Sequence, residues 1–227
     1  MTRILLTIAI VFSFSLVASA QFKKNDFLIG GQLSYSYNSS SSDLPSGYYP
    51  GSDQKMNNGN ITISLGKALN ETTVGGINLS YLPSSSTNNV YNSNPLYSKN
   101  NGYAAGVFFR KYKNLGKDFF LFGQADASYN WSNQSGKDST GKEVLNGNSW
   151  GIGATLFPGI AYRISKHFFL ELSIPSLISI RYYKSNTTDQ YSAPPSVQTS
   201  KSDQLFIGSS LSSNPLDALG IGFRLIL

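Results

Sequence analysis

The sequence predicts an all-β fold, an eight-stranded antiparallel up-and-down barrel that crosses a membrane. Three observations carry this reading. Segment after segment alternates apolar and polar residues with a period of two, which gives a β-strand two unlike faces. The segments are joined alternately by short turns and long polar stretches, the connection pattern of a membrane barrel. The apolar faces end in Tyr, Trp or Phe, and such rings settle at membrane–water interfaces.

The stretch DFFLFGQADASYNW at Asp118–Trp131 displays all three. Leu121, Gly123, Ala125, Ala127, Tyr129 and Trp131 share one face, and Gln124, Asp126, Ser128 and Asn130 share the other. A soluble strand turns its apolar side to a core. Here the apolar side ends in Tyr and Trp, which implies lipid outside and a polar lumen inside.

Taken in order, the chain first offers an export segment. Arg3 precedes an apolar run, Ile4–Val17, that is shorter than the ~20 residues of a spanning helix and ends in Ala18-Ser19-Ala20, an A-x-A cleavage site. Residues 1–20 thus read as a signal peptide and 21–227 as the barrel domain, with an uncleaved anchor as the alternative. The first strand spans Phe27–Tyr37, with Phe27, Ile29, Leu33, Tyr35 and Tyr37 on one face. The second (Asn60–Ala68) and third (Thr73–Leu82) are linked by a short turn at Leu69-Asn70-Glu71. The fourth, Gly102–Tyr112, alternates Tyr103, Ala105, Val107 and Phe109 with Ala104, Gly106, Phe108 and Arg110. A turn containing Gly116 leads into the fifth strand, described above. The sixth (Trp150–Ile164) and seventh (His167 to about Tyr182) meet at Ser165-Lys166, and Leu219–Leu227 closes the chain as the eighth. Polar stretches at 38–58, 83–101, 132–148 and 183–203 read as exterior loops, with both termini on the short-turn side. Pro158 and Pro175 interrupt strands six and seven and predict bulges, because proline withdraws a ladder donor. The run Leu205–Leu211 reads as an extension of strand eight or as a separate strand, the latter leaving a ten-strand count open.

This topology sorts the aromatic residues into two girdles: Tyr37, Tyr81, Tyr103, Tyr129, Trp131, Trp150 and Tyr182 toward the outside, and Tyr162, Phe168 and Phe223 toward the short turns.

Composition agrees. Charged residues are 13% of the chain, against ~25% for a soluble domain. The net charge is +6 without any basic run, so nucleic acid is not an expected partner. With no Cys and a single His, neither a disulfide framework nor a transition-metal site is expected, and no cofactor is implied.

The export site, the hairpin FFRKYKNLGKDFFLFGQADASYNW at Phe108–Trp131 and the closing LGIGFRLIL at Leu219–Leu227 resemble the small outer-membrane β-barrel domains of Gram-negative bacteria, the OmpA/OmpX-like and porin-family proteins. The resemblance covers essentially the whole mature chain. It implies location in the cell outer membrane, outer-membrane lipids as surroundings, and delivery by the barrel-assembly machinery. Many members end in Phe, whereas this chain ends in Leu227, with Phe223 nearby to supply aromatic character. The pattern contains no peptidoglycan-binding domain. It names no partner for the exterior loops, where Tyr48, Tyr49, Pro50, Tyr91, Tyr97 and Tyr191 stand among Ser, Asn and Gly.

The candidate lumen network is Arg110, Gln124, Asp126, Arg163, Glu171, Arg181 and Arg224, with Gln32 and Asn78 beside it. An eight-stranded barrel is just wide enough to be filled by side chains, and buried charges must pair. The expected outcome is a plug, with a charged pore as the alternative. Arg110 and Asp126 lie on hairpin partners and are expected to pair. Catalysis is not expected. Some barrels of this size modify lipid A with a His, a Ser and an acid, but His167 stands at a turn between Lys166 and Phe168-Phe169 and reads as an interfacial residue. Gly151-Ile-Gly153 and Gly220-Ile-Gly222 lack the third glycine and the helix of a nucleotide fingerprint. The expected role is structural or interactive, with a small channel, an enzyme and a soluble lipocalin-type barrel as progressively weaker competitors.

Overall fold

The computed structural model describes residues 22–42, 52–90, 96–174, 177–189, 197–209 and 219–227. Ten antiparallel strands form: β1 (Phe27–Ser42), β2 (Ser52–Asn70), β3 (Thr73–Val90), β4 (Leu96–Gly116), β5 (Phe119–Lys137), β6 (Glu143–Arg163), β7 (Phe168–Ser173), β8 (Ile178–Asp189), β9 (Gln198–Gly208) and β10 (Gly220–Ile226). Eight of them close a ring. Pairing runs from β1 through β2, β3, β4, β5 and β6 to β7, then to β10 and back to β1. The fold is therefore an up-and-down transmembrane barrel of eight strands.

The remaining two strands form an arm on the exterior-loop side of the ring. The expected seventh strand divides at 174–177. Its first half is β7, which pairs with β6 over Gly159–Arg163. Its second half is β8, which pairs with β6 over Leu145–Leu156 and carries β9 on its other edge. The apolar run beginning at Leu205 belongs to β9, a strand distinct from β10 that lies on the same side of the β7–β8 line and runs in the same direction. The far edge of β9 has no strand partner among the described residues; neither has the β10-facing edge of β1 beyond Leu33.

Pro158 leaves the β5–β6 ladder in register through Gly123↔Pro158, and the expected irregularity falls on the opposite edge of β6, where the β7 and β8 pairings differ in register by two residues. On its other edge β6 changes neighbours at this point, from β8, which ends its pairing at Leu156, to β7, which starts at Gly159. The missing N–H falls where the ladder makes no demand for it. The carbonyl of Pro158 is used: it accepts the amide of Ile174 at 3.1 Å. Pro175 lies outside the described residues.

The strands also run well beyond their apolar cores. β1 reaches Ser42, β3 reaches Val90, β4 begins at Leu96 and β5 reaches Lys137, so most of the stretches expected to be loops are ladder. Hydroxyl pairs tie these extensions together: Ser86–Ser98 at 2.7 Å, Ser132–Ser149 at 2.7 Å and Ser185–Ser202 at 2.9 Å. Cross-strand Ser and Thr pairs support a sheet without apolar contrast. At the β5–β6 tip the Asp138 carboxylate accepts the Thr140 hydroxyl at 2.6 Å and the amides of Thr140 and Lys142. Those bonds, led by the hydroxyl's, hold its pKa below the ordinary carboxylate range.

The period-two alternation sets inside against outside. Leu33, Ile63, Leu79, Val107, Ile152, Ile180 and Ile221 all face outward and are exposed. A contiguous apolar exterior of this extent exceeds what soluble proteins present to water, and it matches the lipid-facing band of a membrane barrel. The core lies inside the ring: Leu28, Val74, Phe108, Tyr112, Phe120, Phe122, Phe157, Ala161 and Phe169 are buried together.

Candidate functional site

The interior has two levels. The lower, on the short-turn side, is a packed aromatic floor carrying a charged cluster. Phe122 reaches across to β6, and a Cβ on Gly159 would collide with its ring, so glycine there makes room for the floor. Glu171 on β7 is the centre of the cluster. Its Oε1 accepts Arg110 Nη1 at 2.6 Å, the Tyr112 hydroxyl at 3.1 Å and Arg224 Nε at 3.0 Å. Arg110 Nη1 also donates to the Tyr112 hydroxyl at 3.0 Å. The side chains of Arg110 and Arg224 are 3% and 2% exposed, and that of Glu171 is 7% exposed, so the pairs are isolated from solvent.

Two guanidinium groups against one carboxylate leave excess positive charge. Aromatic faces and a second carboxylate offset it. Arg110 lies 4.1 Å from the centre of the Phe122 ring and Arg224 lies 5.6 Å from that of Phe108, geometries in which the ring quadrupole attracts a cation. Gln124 accepts Arg110 Nε and passes its own Nε2 to Asp126 at 2.8 Å. Asn78 adds a second donor to Asp126 at 3.1 Å. The expected Arg110–Asp126 ion pair does not form. The register sets Arg110 opposite Gln124 and Asp126 opposite Phe108, so Asp126 sits two residues further along and Gln124 links the two. The true partner, Glu171, is 61 residues away in sequence, on a strand that is not a neighbour of β4 and is reached across the lumen.

Above this cluster the lining changes to Ser, Thr and Asn, and space opens. A cavity of about 150 Å³ is bounded by Thr62, Ser64, Asn78, Asp126, Arg181 and Arg224. It adjoins one of about 220 Å³, with Asn130, Thr155 and Arg181 common to both. That adjoins a third of about 300 Å³, through Asn100, Ser132 and Ser149. Together they form a polar vestibule that rises from the charged floor into the extended strands.

The seven expected lumen residues are thus divided among three places. Arg110, Gln124, Asp126, Glu171 and Arg224 come together. Arg181 lines the vestibule above them. Arg163 lies at the mouth, where its Nε and Nη2 hold the Asp118 carboxylate at 2.8 and 2.6 Å; its half-exposed position there corrects the expectation of a place in the network. Gln32 donates to Ser173 at 3.1 Å.

Three participants were not anticipated. Tyr112 closes the strand-four segment on the inward parity, a signal that was available. Asp118 occupies a turn with Lys117 and Gly116, all three at positive φ; the sequence pattern sets it at the head of the fifth strand, where nothing singles it out. Phe22 precedes the first alternating segment, and nothing in the periodicity points to it.

The girdle candidates all lie on the exterior or at its edge. Tyr103 stacks between Tyr81 at 5.4 Å and Trp131 at 5.6 Å, and Trp150 lies between Tyr129 and Tyr182, each 6.2 Å away. On the short-turn side Phe119 meets Tyr162 at 4.8 Å, and Phe168 stacks on Phe223 at 6.3 Å. Tyr37 is exposed on β1. His167 is exposed at its turn, and its carbonyl accepts the amide of Ile226 at 2.8 Å. Among the described residues, no three of His, Cys, Asp or Glu come together to hold a metal ion.

No protein-family profile matches the chain, and no curated protein matches it. Solved structures do. The outer membrane protein OprG from Pseudomonas aeruginosa superposes with a TM-score of 0.53 at 14% identity, covering 92% of this chain and 99% of that one. The likeness is one of fold, and it agrees with the eight-stranded ring. Lower scores are found for the outer membrane protein AlkL, 0.41 at 10% identity over 93% of this chain and 92% of that one. The E. coli outer membrane protein W scores 0.37 at 12% identity over 89% of this chain and 99% of that one.

Proposed function

We propose that this chain is an integral outer-membrane protein that acts by what it presents outside the cell, not by conducting through its lumen and not by catalysis. The observation that carries this is the closed lower lumen. Arg110, Glu171 and Arg224 are locked together on a floor of Phe rings, and no strand has to move to complete that packing. The long hydroxyl-tied strand extensions support the same reading, because they lift the loops clear of the apolar belt. The aromatic bands at the two ends of that belt act as membrane anchors, and lipids of the outer membrane are the immediate surroundings. The N-terminal segment directs export and is removed after Ala20. The barrel-assembly machinery inserts the chain.

Planar-bilayer recording tests the reading. The purified protein gives no stable conductance above leak. Reproducible single-channel steps overturn it in favour of a small channel, the second reading. One observation favours that alternative: the vestibule of linked cavities already crosses the upper half of the barrel.

A further inference from the structure

The short-turn mouth of the barrel is covered by a piece of chain that belongs to no strand. Residues 22–26 fold back across it. The Phe22 ring is 3% exposed and packs edge-on against Tyr112 at 5.1 Å and against Phe169 at 6.1 Å. Tyr112 is the residue that donates to Glu171, so Phe22 lies directly beneath the charged cluster.

The fastenings of this segment are few. They are made to the last residues of β2 and to the turn that follows it. The amide of Phe22 donates to the Glu71 carbonyl at 3.2 Å, and that of Asn25 donates to the Ala68 carbonyl at 2.9 Å. Ala68 in turn donates to the Asp26 carbonyl at 2.9 Å, and the Asp26 carboxylate accepts the Lys23 amide at 2.9 Å. Asn25 sits at φ 78°, the left-handed region that Asn tolerates and that costs β-branched residues more. Every other ring of the floor is fixed to a strand that is laddered on both sides. Among the described rings of the floor, Phe22 is the one carried outside the strands, on a strap bonded at Ala68 and Glu71, so it is the part of the floor able to leave while the barrel stays intact.

We propose that Phe22 is a detachable stopper: its ring seals the charged cluster from periplasmic water, and release of the 22–26 strap opens the lower lumen from below. The proposal rests on the closed-lumen reading above and gives it a moving part.

The absence of native Cys makes one probe thiol sufficient. Val74→Cys is suited, because Val74 is 0% exposed, faces the lumen opposite Arg110, and pairs with Ala68, the residue that anchors the strap. The full chain is assembled in liposomes and treated with a small, charged, thiol-reactive methanethiosulfonate. Assembly is checked by heat-modifiable gel migration. The V74C protein reacts slowly. Adding Phe22→Ala raises the rate at least tenfold, and so does Asn25→Val, which keeps the Phe22 side chain but frees the strap that seats it. Phe22→Leu restores protection, and none of the three changes alters assembly. Fast labelling of V74C with Phe22 intact refutes the closed lumen itself. Slow labelling in assembled Phe22→Ala and Asn25→Val proteins leaves the closed lumen standing and refutes the stopper.

Discussion

The lower and upper halves of the lumen solve the same problem, how to fill an eight-stranded ring, in opposite ways. Below, large side chains and charges are crowded together: Phe120, Phe122 and Phe169 are each 1% exposed, and Glu171 gathers three donors on one oxygen. Above, small hydroxyl and amide side chains leave linked cavities, and their hydrogen bonds run between neighbouring strands. The lower half is an all-or-nothing network, because removing one charge strands the others in a dry interior. The upper half is a set of separate pairs, each next to space. The difference teaches where the barrel stores its specificity: in a few long-range contacts at the bottom, with a permissive lining on top.

Substitutions at three places break or sharpen this contrast. The largest effect is expected for Glu171→Ala, which leaves Arg110 and Arg224 facing one another. It lowers stability by about 3–5 kcal/mol, the penalty for an uncompensated buried charge, measured by urea unfolding in lipid with Trp131 and Trp150 as fluorophores. A loss below about 1 kcal/mol, the scale of an exposed pair, would erase the distinction between the halves. Next comes Gly159→Val, which must displace the Phe122 ring. Overpacking of this kind costs about 1–3 kcal/mol, read in the same unfolding assay, and an unchanged midpoint would mean the floor is loosely packed. The smallest is expected at the top: Ser132→Ala or Ser149→Ala shifts stability by no more than about 0.5 kcal/mol, as for substitutions outside tight networks. A larger shift would show that the hydroxyl pairs are coupled along the extension.

The membrane-level fold was legible because a barrel in lipid enforces alternation on every strand. Within the apolar belt, from Phe27 in the first strand to Phe223 in the last, parity told inside from outside. The strand extensions were not legible for the complementary reason. Above the apolar belt both faces meet polar surroundings, so Ser and Asn appear on both parities and the period vanishes while the backbone ladder continues. That is why residues such as Ser86 and Ser98 read as loop. The cluster was half legible. Parity placed Arg110, Glu171 and Arg224 inside, but pairing across the lumen depends on barrel diameter and shear, which no local pattern encodes. Arg110 was therefore matched to Asp126, its neighbour by hairpin, and not to Glu171. Asp118 and Phe22 were invisible because one stands at the head of a strand segment, where nothing singles it out, and the other outside any repeat.

Pro158 has a consequence for how such a wall can be altered. Because β6 changes neighbours there, the eight-strand ring and the β8–β9 arm have separate registers on that edge. Residues can be added to or removed from the arm without sliding β7 against β6, so the inward parity of Glu171 is insulated from length changes above it. The outer part of the arm, beyond Tyr182, is thus the part open to exchange, and the Asp189–Gln198 pair that ends its ladder marks the natural place to graft a foreign sequence for surface display.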